Sequence, residues 1–251
     1  MSRGHITVLS YNIHKGFAAL GGEFLLDRIR EGIRSVDADV VLLQEVTGEN
    51  LRHRERIPTW PEGPQFKYLA DEVWDHFAYG HNAVYDHGHH GNAVLSKFPI
   101  EEWGNVDISN HRFERRGLLW ARLKAPGFKN PLWVSTVHLD LTEWGRGRQV
   151  QLLAKELKKR VDSTSPLVLG GDFNDWRERC THSLGRSLKM EEAFSCTEGA
   201  HARTYPARMP ILRLDRIYFR GLRVESCRRL DGPLWKRLSD HVPLCVTFGV
   251  G

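Results

Sequence analysis

The sequence predicts an α+β fold in which two mixed β-sheets pack face to face with helices outside. Three observations carry this. Short apolar runs bounded by Gly, Pro and Asn recur along the chain, as strands do. A strand–helix–strand unit occurs twice, once near the N-terminus and once past the middle. Each unit ends its strands in polar residues, Asn12 and Glu45 in the first and His138 and Asp172 in the second, separated by 33 and 34 residues. Two such units, stacked sheet on sheet, would bring both polar pairs to one rim.

The elements follow in order. Ile6 to Asn12 alternates as a strand, and His14-Lys15-Gly16 reads as a loop. Leu26, Ile29, Ile33 and Val36 have helical spacing within Phe24 to Val36. Val40 to Leu43 is a buried strand running into Gln44 and Glu45; Thr47 to Asp75 reads as a short helix and then loop. Phe77 to Tyr85 and Asn92 to Ser96 form a hairpin around the turn at 86–91, and Trp103 to Ile108, Gly117 to Leu123 and Leu132 to Val137 are further strands. Arg148 to Val161 carries an apolar face of Val150, Leu153, Ala154, Leu157 and Val161. Leu167 to Leu169 is a strand and Leu184 to Phe194 a helix; Leu214 to Phe219, Arg223 to Arg228 and Leu244 to Phe248 close the chain as strands. With no linker or low-complexity segment, residues 1–251 read as one domain.

Composition excludes several classes. With 41% hydrophobic and 27% charged residues, the chain has the make-up of an ordinary globular protein. Cys180, Cys196, Cys227 and Cys245 form no C-x-x-C pair, which argues against a zinc site or a disulfide framework. The N-terminus lacks the apolar region of a signal peptide, and no run approaches the ~18 residues of a membrane span. A soluble cytoplasmic monomer with no obligate protein partner is expected. The net charge of +5 is uneven: Arg203 to Arg237 holds ten Arg or Lys and three Asp or Glu, a net +7, so the remainder carries −2. A basic stretch of this kind suits a polyanion or, as the plain alternative, a solvated arginine-rich surface.

The candidate chemistry sits at strand ends. Pro166-Leu-Val-Leu-Gly-Gly-Asp172-Phe-Asn174 is an apolar run that delivers a carboxylate and an amide. In extended chain the two point the same way, and Gly170 and Gly171 leave room for a bend and a ligand. Glu45 follows a run too apolar for a surface strand and suits the main ligand of a hard cation, with Asn12 and either Asp172 or Asp240 near it. Ser239-Asp240-His241-Val-Pro243 presents an acid and an imidazole that serve one site only from a turn. An imidazole there needs an orienting acid, for which Asp215 is the candidate; a plain Asp215–Arg216 surface pair is its structural alternative. His138 ends another apolar strand.

In order along the chain, Ser10-Tyr-Asn12, Leu43-Gln-Glu45-Val, Gly91-Asn-Ala-Val-Leu-Ser-Lys-Phe-Pro99, Val137-His138-Leu, Gly171-Asp172-Phe-Asn174, Leu214-Asp215-Arg-Ile and Ser239-Asp240-His241-Val-Pro243 resemble the endonuclease/exonuclease/phosphatase superfamily of Mg²⁺-dependent phosphoesterases. That superfamily includes deoxyribonuclease I, abasic-site endonucleases and neutral sphingomyelinases. The resemblance implies a four-layer α-β-β-α sandwich with its site at one end of the paired sheets. It implies that Glu45 is the principal Mg²⁺ ligand (Mn²⁺ as a substitute), with Asn12 and Asp240 nearby. Asp172 and Asn174 would orient the attacking water and a phosphate oxygen. His241, paired with Asp215, would be general base or electrostatic stabiliser, and His138 stands where deoxyribonuclease-like members carry histidine and abasic-site enzymes asparagine. Arg116, or else Arg115, matches a phosphate-contacting position. Whether Asp172 or His241 takes the proton is left open, with His241 preferred.

A Mg²⁺-dependent phosphodiesterase acting on nucleic acid, DNA before RNA, is thus the first expectation. The second keeps the chemistry and changes the substrate to a phospholipid or sphingolipid, although no clear apolar wedge for a membrane stands out. The inositol-phosphatase branch is disfavoured because Arg213-Leu-Asp215-Arg216 lacks its proline- and tryptophan-rich motif. A non-catalytic binding module is disfavoured because Glu45, Asp172 and His241 are all present. His81, His87, His89 and His90 read as an exposed turn in preference to a second metal site. His14 and Lys15 lie within reach of phosphate. Trp144 and Trp176 suit base stacking, a headgroup pocket or ordinary packing.

Overall fold

The computed structural model describes residues 4–19, 22–111 and 114–249. Among these described residues, twelve strands make two six-stranded sheets. The first contains β1 (His5–Asn12), β2 (Val40–Asn50), β3 (His76–Tyr85), β4 (Gly88–Ser96), β11 (Arg223–Arg229) and β12 (Leu244–Gly249), in the order β11-β12-β1-β2-β4-β3. The second contains β5 (Ile100–Asp107), β6 (Gly117–Leu123), β7 (Leu132–His138), β8 (Leu167–Asp172), β9 (Glu191–Glu192) and β10 (Asp215–Arg220), in the order β5-β6-β7-β8-β10-β9. Each sheet is built around one parallel pair, β1 with β2 and β7 with β8, flanked by antiparallel neighbours. The duplicated strand–helix–strand units are these two centres.

Strand alternation decides what lies between the sheets. Ile6 and Val8 of β1, Val40 and Leu42 of β2, Leu119 and Ala121 of β6, Val134 of β7, Val168 of β8 and Ile217 of β10 share one buried inner core. The opposite faces take helices. Leu9, Tyr11, Val41 and Leu43 pack on α1 (Leu26–Val36), α3 (Gln65–Ala70) and α7 (Trp235–Leu238). Trp133, Val137, Leu167, Leu169 and Tyr218 pack under α4 (Glu143–Arg160) and α5 (Arg179–Leu188). The result is the α-β-β-α sandwich. Because the period is two, the inner stripe continues into Ser10 and Asn12, Gln44, Thr136 and His138, and Gly170 and Asp172. The stripe that builds the core therefore ends in the polar residues of the rim.

Several expected boundaries move. The run through Leu43 does not end at Glu45: β2 continues to Asn50 through two register shifts against β4. Two short helices, α2 (Leu51–Arg56) and α3, replace the expected helix and loop. The helix expected from Arg148 starts at Glu143, because Thr142 Oγ1 accepts the Gly145 amide at 3.2 Å and caps a first turn that Gly145 and Gly147 disguise in sequence. Leu184 to Phe194 is not one helix: α5 ends in left-handed Lys189, and β9 separates it from α6 (Ala193–Glu198). β4 begins at Gly88, so His89 and His90 stand half-buried in a strand and not in an exposed turn. His89 Nδ1 lies 3.1 Å from the Tyr79 hydroxyl, and its ring centre 4.0 Å from that of His81.

The two glycines before Asp172 are required by the packing of the protein itself. A Cβ on Gly170 would meet Leu42 Cδ1 at 2.8 Å, so that glycine sets how closely the sheets approach. Gly171 has φ +148°, and a Cβ there would meet the Val137 carbonyl oxygen at 2.0 Å.

Candidate active site

The C-terminal ends of β1, β7 and β8, the start of antiparallel β10 and the loop entering β12 all reach one rim. They enclose a cavity of about 350 Å³ lined by Glu45, Arg116, His138, Leu141, Asp172, Asn174, Trp176, Tyr205, Leu212, Leu214, Asp240 and His241.

Glu45 reaches this cavity through a local defect. Gln44 points inward, where its Nε2 donates to Thr136 Oγ1 at 2.8 Å, so a regular strand would turn Glu45 toward the helices. Instead the ladder skips between Leu43 and Val46, and Glu45 adopts φ 55°. A left-handed non-glycine residue costs about 1 kcal/mol or more, and this one swings a carboxylate into the site. Glu45 Oε2 lies 3.4 Å from Lys15 Nζ and Oε1 3.9 Å from His138 Nδ1. Burial favours the neutral acid, but His138, Lys15, His14 and the Asn12 amide outweigh it and bring the Glu45 carboxyl down to about 2. His138 is itself held well below the usual imidazole range, by burial and then by the Arg116 charge, so Lys15 supplies the full positive charge beside Glu45.

Asn12 Nδ2 bridges the two halves, donating to Asp172 Oδ2 at 3.1 Å and to Glu45 Oε1 at 3.4 Å, while its Oδ1 accepts the His14 amide at 3.1 Å. Expected beside a cation, Asn12 here orders the carboxylates through its nitrogen. Asp172 accepts the Asn174 amide at 2.9 Å, and Asn174 Nδ2 donates to the Leu139 carbonyl at 3.0 Å. Asn174 has φ 50°, so it faces the cavity through a side-chain-closed turn and not through strand alternation.

His241 Nδ1 meets Asp215 Oδ2 at 2.8 Å, and Nε2 lies 3.7 Å from Asp172 Oδ2. Asp215 is a buried partner of His241 and not half of a surface pair with Arg216, whose guanidinium donates to the Asp215 and Asp175 carbonyls. Burial disfavours the imidazolium, yet Asp215, Asp172 and Asp240 more than reverse this and raise the proton affinity of His241. Burial, with Asp215 adding to it, raises that of Asp172 against the pull of His241. Asp240 faces the same cavity, with Oδ1 3.2 Å from Ser239 Oγ. Arg116 lines the cavity and pairs with Glu114, whereas Arg115 is paired with Asp107 at 3.1 Å on the surface.

The donor chemistry fits a hard divalent cation. Glu45 is an ionised carboxylate that already draws an ammonium, and Asp240 adds a second oxygen donor to the cavity. Asp172, Asp215 and His241 also place ligand atoms within 4.8 Å of one another, but the His241–Asp215 hydrogen bond consumes one donor–acceptor pair of that group. Residues that the sequence reading missed are Leu141, Tyr205, Leu212 and Leu214. Tyr205 places its ring 5.0 Å from that of His241, and it lies in a stretch with no periodicity to mark it.

The profile of the Endonuclease/Exonuclease/phosphatase family matches residues 9–241. The chain belongs to this family. It is accordingly a hydrolase of phosphoric ester bonds. An uncharacterised Escherichia coli (strain K12) protein, YbhP, is 43% identical over 237 residues, covering 94% of this chain and 93% of its own. Among solved structures, an endonuclease/exonuclease/phosphatase from Beutenbergia cavernae shares 20% identity at a TM-score of 0.76, covering 99% of this chain and 72% of that one. A D. rerio TDP2 humanized by 14 mutations shares 20% identity at 0.71, covering 98% and 99%. These likenesses concern the fold, which is that of a four-layer family member.

Proposed function

We propose that the chain is a divalent-metal-dependent phosphodiesterase that cleaves its substrate by in-line attack of an activated water. The observation that carries this reading is the meeting, in one cavity, of Glu45 with the Asp172–His241–Asp215 relay. Mg²⁺, or Mn²⁺ in its place, would be held by Glu45 and Asp240 and would supply Lewis-acid charge to the phosphoryl oxygens. Asp172 Oδ2, raised in proton affinity, takes the proton of the water, and Asn174 aims that water. His241 has both nitrogens directed at carboxylates and is held as the imidazolium, so it stabilises charge on the phosphoryl group instead of acting as base. Arg116 and neutral His138 complete the anion-facing wall.

The charge argument for DNA thins within the fold. Arg213 pairs with Glu178, Arg216 and Arg220 donate to backbone carbonyls, Arg223 pairs with Glu225, Arg228 lies on Cys245 Sγ, and Arg229 pairs with Asp231. Six of the ten cations between Arg203 and Arg237 thus serve the protein itself. The reaction class rests on the cavity, not on that charge.

Hydrolysis of bis-(p-nitrophenyl) phosphate tests the reading. Turnover should need Mg²⁺ or Mn²⁺, vanish with a chelator and return with metal. Asp172→Asn should lower kcat by about 10³-fold or more, as loss of a general base together with its positioning role does. Full activity in Asp172→Asn, or in chelator, overturns it.

A further inference from the structure

The mouth of the cavity is apolar to a degree that its chemistry does not require. Leu141 is 59% exposed, Trp144 67%, Met209 66% and Ile211 53%. With Trp176 and Leu212 they make six of the twelve exposed large hydrophobic residues among those described, and each of the six either lines the cavity or lies within three residues of one that does. Leu141, Trp176 and Leu212 line the cavity itself; Trp144 follows Leu141 by three residues, in the first turn of α4. Met209 and Ile211 project from an ordered loop. Tyr205 and Leu212 bridge its base, the Met209 amide donates to the Pro206 carbonyl at 3.0 Å, and the Ala207 amide donates to the Asp240 carbonyl at 2.7 Å. The indoles are held as well, Trp176 under Arg146 at 4.7 Å and Trp144 under Arg148 at 4.9 Å. Solvent-exposed apolar groups clustered on braced loops mark an interaction surface.

Charge reached from the same 205–212 loop points to the occupant. Arg208 lies in the Met209 loop and also lines a second cavity of about 750 Å³, whose walls carry Arg28, Lys236 and Arg237 and a single carboxylate, Glu23. Among the described residues none of these four cations has a protein partner, unlike the six structural arginines of the C-terminal region. Nucleic acid would use the cations and the two indoles, but Leu141, Met209 and Ile211 have no ring on which a base can stack. An anionic bilayer uses all of them: aliphatic tips and indoles enter the interface while arginines meet headgroups. No described helix is long and apolar enough to cross a membrane.

We infer that the active-site mouth docks on an anionic lipid surface through the 205–212 loop, Leu141 and Trp144, and that the substrate is a phosphodiester lipid presented by that surface. This rests on the phosphodiesterase reading above. The water oxygen bonds to phosphorus as one P–O ester bond breaks, and a water proton ends on the departing alkoxide. The products are a phosphomonoester and an alcohol, and no redox partner is needed.

Flotation with vesicles of phosphatidylcholine alone or equimolar with phosphatidylglycerol, followed by assay of phosphatidylglycerol cleavage with Mg²⁺, tests the inference. The protein should float with the anionic vesicles and cleave their lipid. Met209→Asp/Ile211→Asp should lower both by about tenfold or more while turnover of bis-(p-nitrophenyl) phosphate stays within about twofold. Trp144→Ala, on the separate helix α4, should lower both by about threefold to tenfold, which keeps the test valid if the double variant folds poorly. Cleavage of the soluble diester without flotation or lipid cleavage overturns the inference and leaves the phosphodiesterase reading standing. So does cleavage of plasmid DNA with a KM raised by these rim variants. Absence of turnover on every phosphodiester overturns both.

Discussion

His241 lies between two carboxylates, one at 2.8 Å and one at 3.7 Å, so the charge on its ring is set by acids that are themselves buried. Asp215→Asn removes the nearer acid and keeps the hydrogen-bonding shape. The imidazole should then lose its proton at a lower pH, visible in the NMR titration of its ring, and kcat should fall by about 10²-fold with little change in KM. An unshifted ring titration would sink the electrostatic role. His90 makes a different pH argument. Burial first, and the Lys15 charge next, lower its pKa from 6.5 to about 4. Its folded form is therefore neutral, and the unfolded chain binds the extra proton. That contribution is intact above pH 6.5 and is lost as pH falls from 6.5 through about 4. The loss should be on the order of 2 kcal/mol, and His90→Gln should flatten that limb in urea unfolding followed against pH with chelator present. Parallel limbs in the two proteins would remove His90 as the cause.

Elements were legible in the sequence where burial follows a regular period. The inner stripes of β1, β7 and β8 carry both apolar core and polar rim, so Asn12, His138 and Asp172 could be read from alternation alone. Glu45 and Asn174 reach the cavity from left-handed conformations, which no periodicity announces. Asn174 in particular shares the cavity with Asp172 by way of a turn, not by the two-residue repeat of a strand. The 205–212 loop has no period at all, so nothing in the sequence marks Met209 and Ile211 as exposed. Gly171 is the point where backbone geometry at the site is least forgiving. An alanine there would face both φ +148° and the Val137 carbonyl at 2.0 Å. Gly171→Ala should destabilise by about 3 kcal/mol, seen as a lower urea midpoint at unchanged slope. A change below about 0.5 kcal/mol would mean that the β7–β8 pair yields more easily than its register suggests.

At the scale of the molecule, the two sheets meet through an aliphatic centre and, toward the rim, through a few polar contacts that cross the interface. Gln44 Nε2 donates to Thr136 Oγ1 at 2.8 Å and to its own strand at the Leu42 carbonyl at 3.1 Å. Asn92 Nδ2 crosses likewise to the Gly117 carbonyl at 3.2 Å. The Gln44 contact ties the parallel centre of one half to that of the other, two residues short of His138 on β7 and one short of Glu45 on β2, and the Asn92 contact joins the neighbouring strands β4 and β6. Thr136→Val takes away the acceptor and leaves Gln44 buried with half of its amide donors unmet, which should destabilise by about 1–2 kcal/mol. Gln44→Leu removes the donor instead, and the double variant replaces the pair with apolar groups of similar size. It should recover about 1 kcal/mol relative to the sum of the single changes, because a buried donor without its acceptor is worse than no donor. Urea unfolding of the four proteins measures that coupling. Additivity within about 0.3 kcal/mol would mean that the halves are joined by the aliphatic core alone, with the polar layer serving only to position the rim.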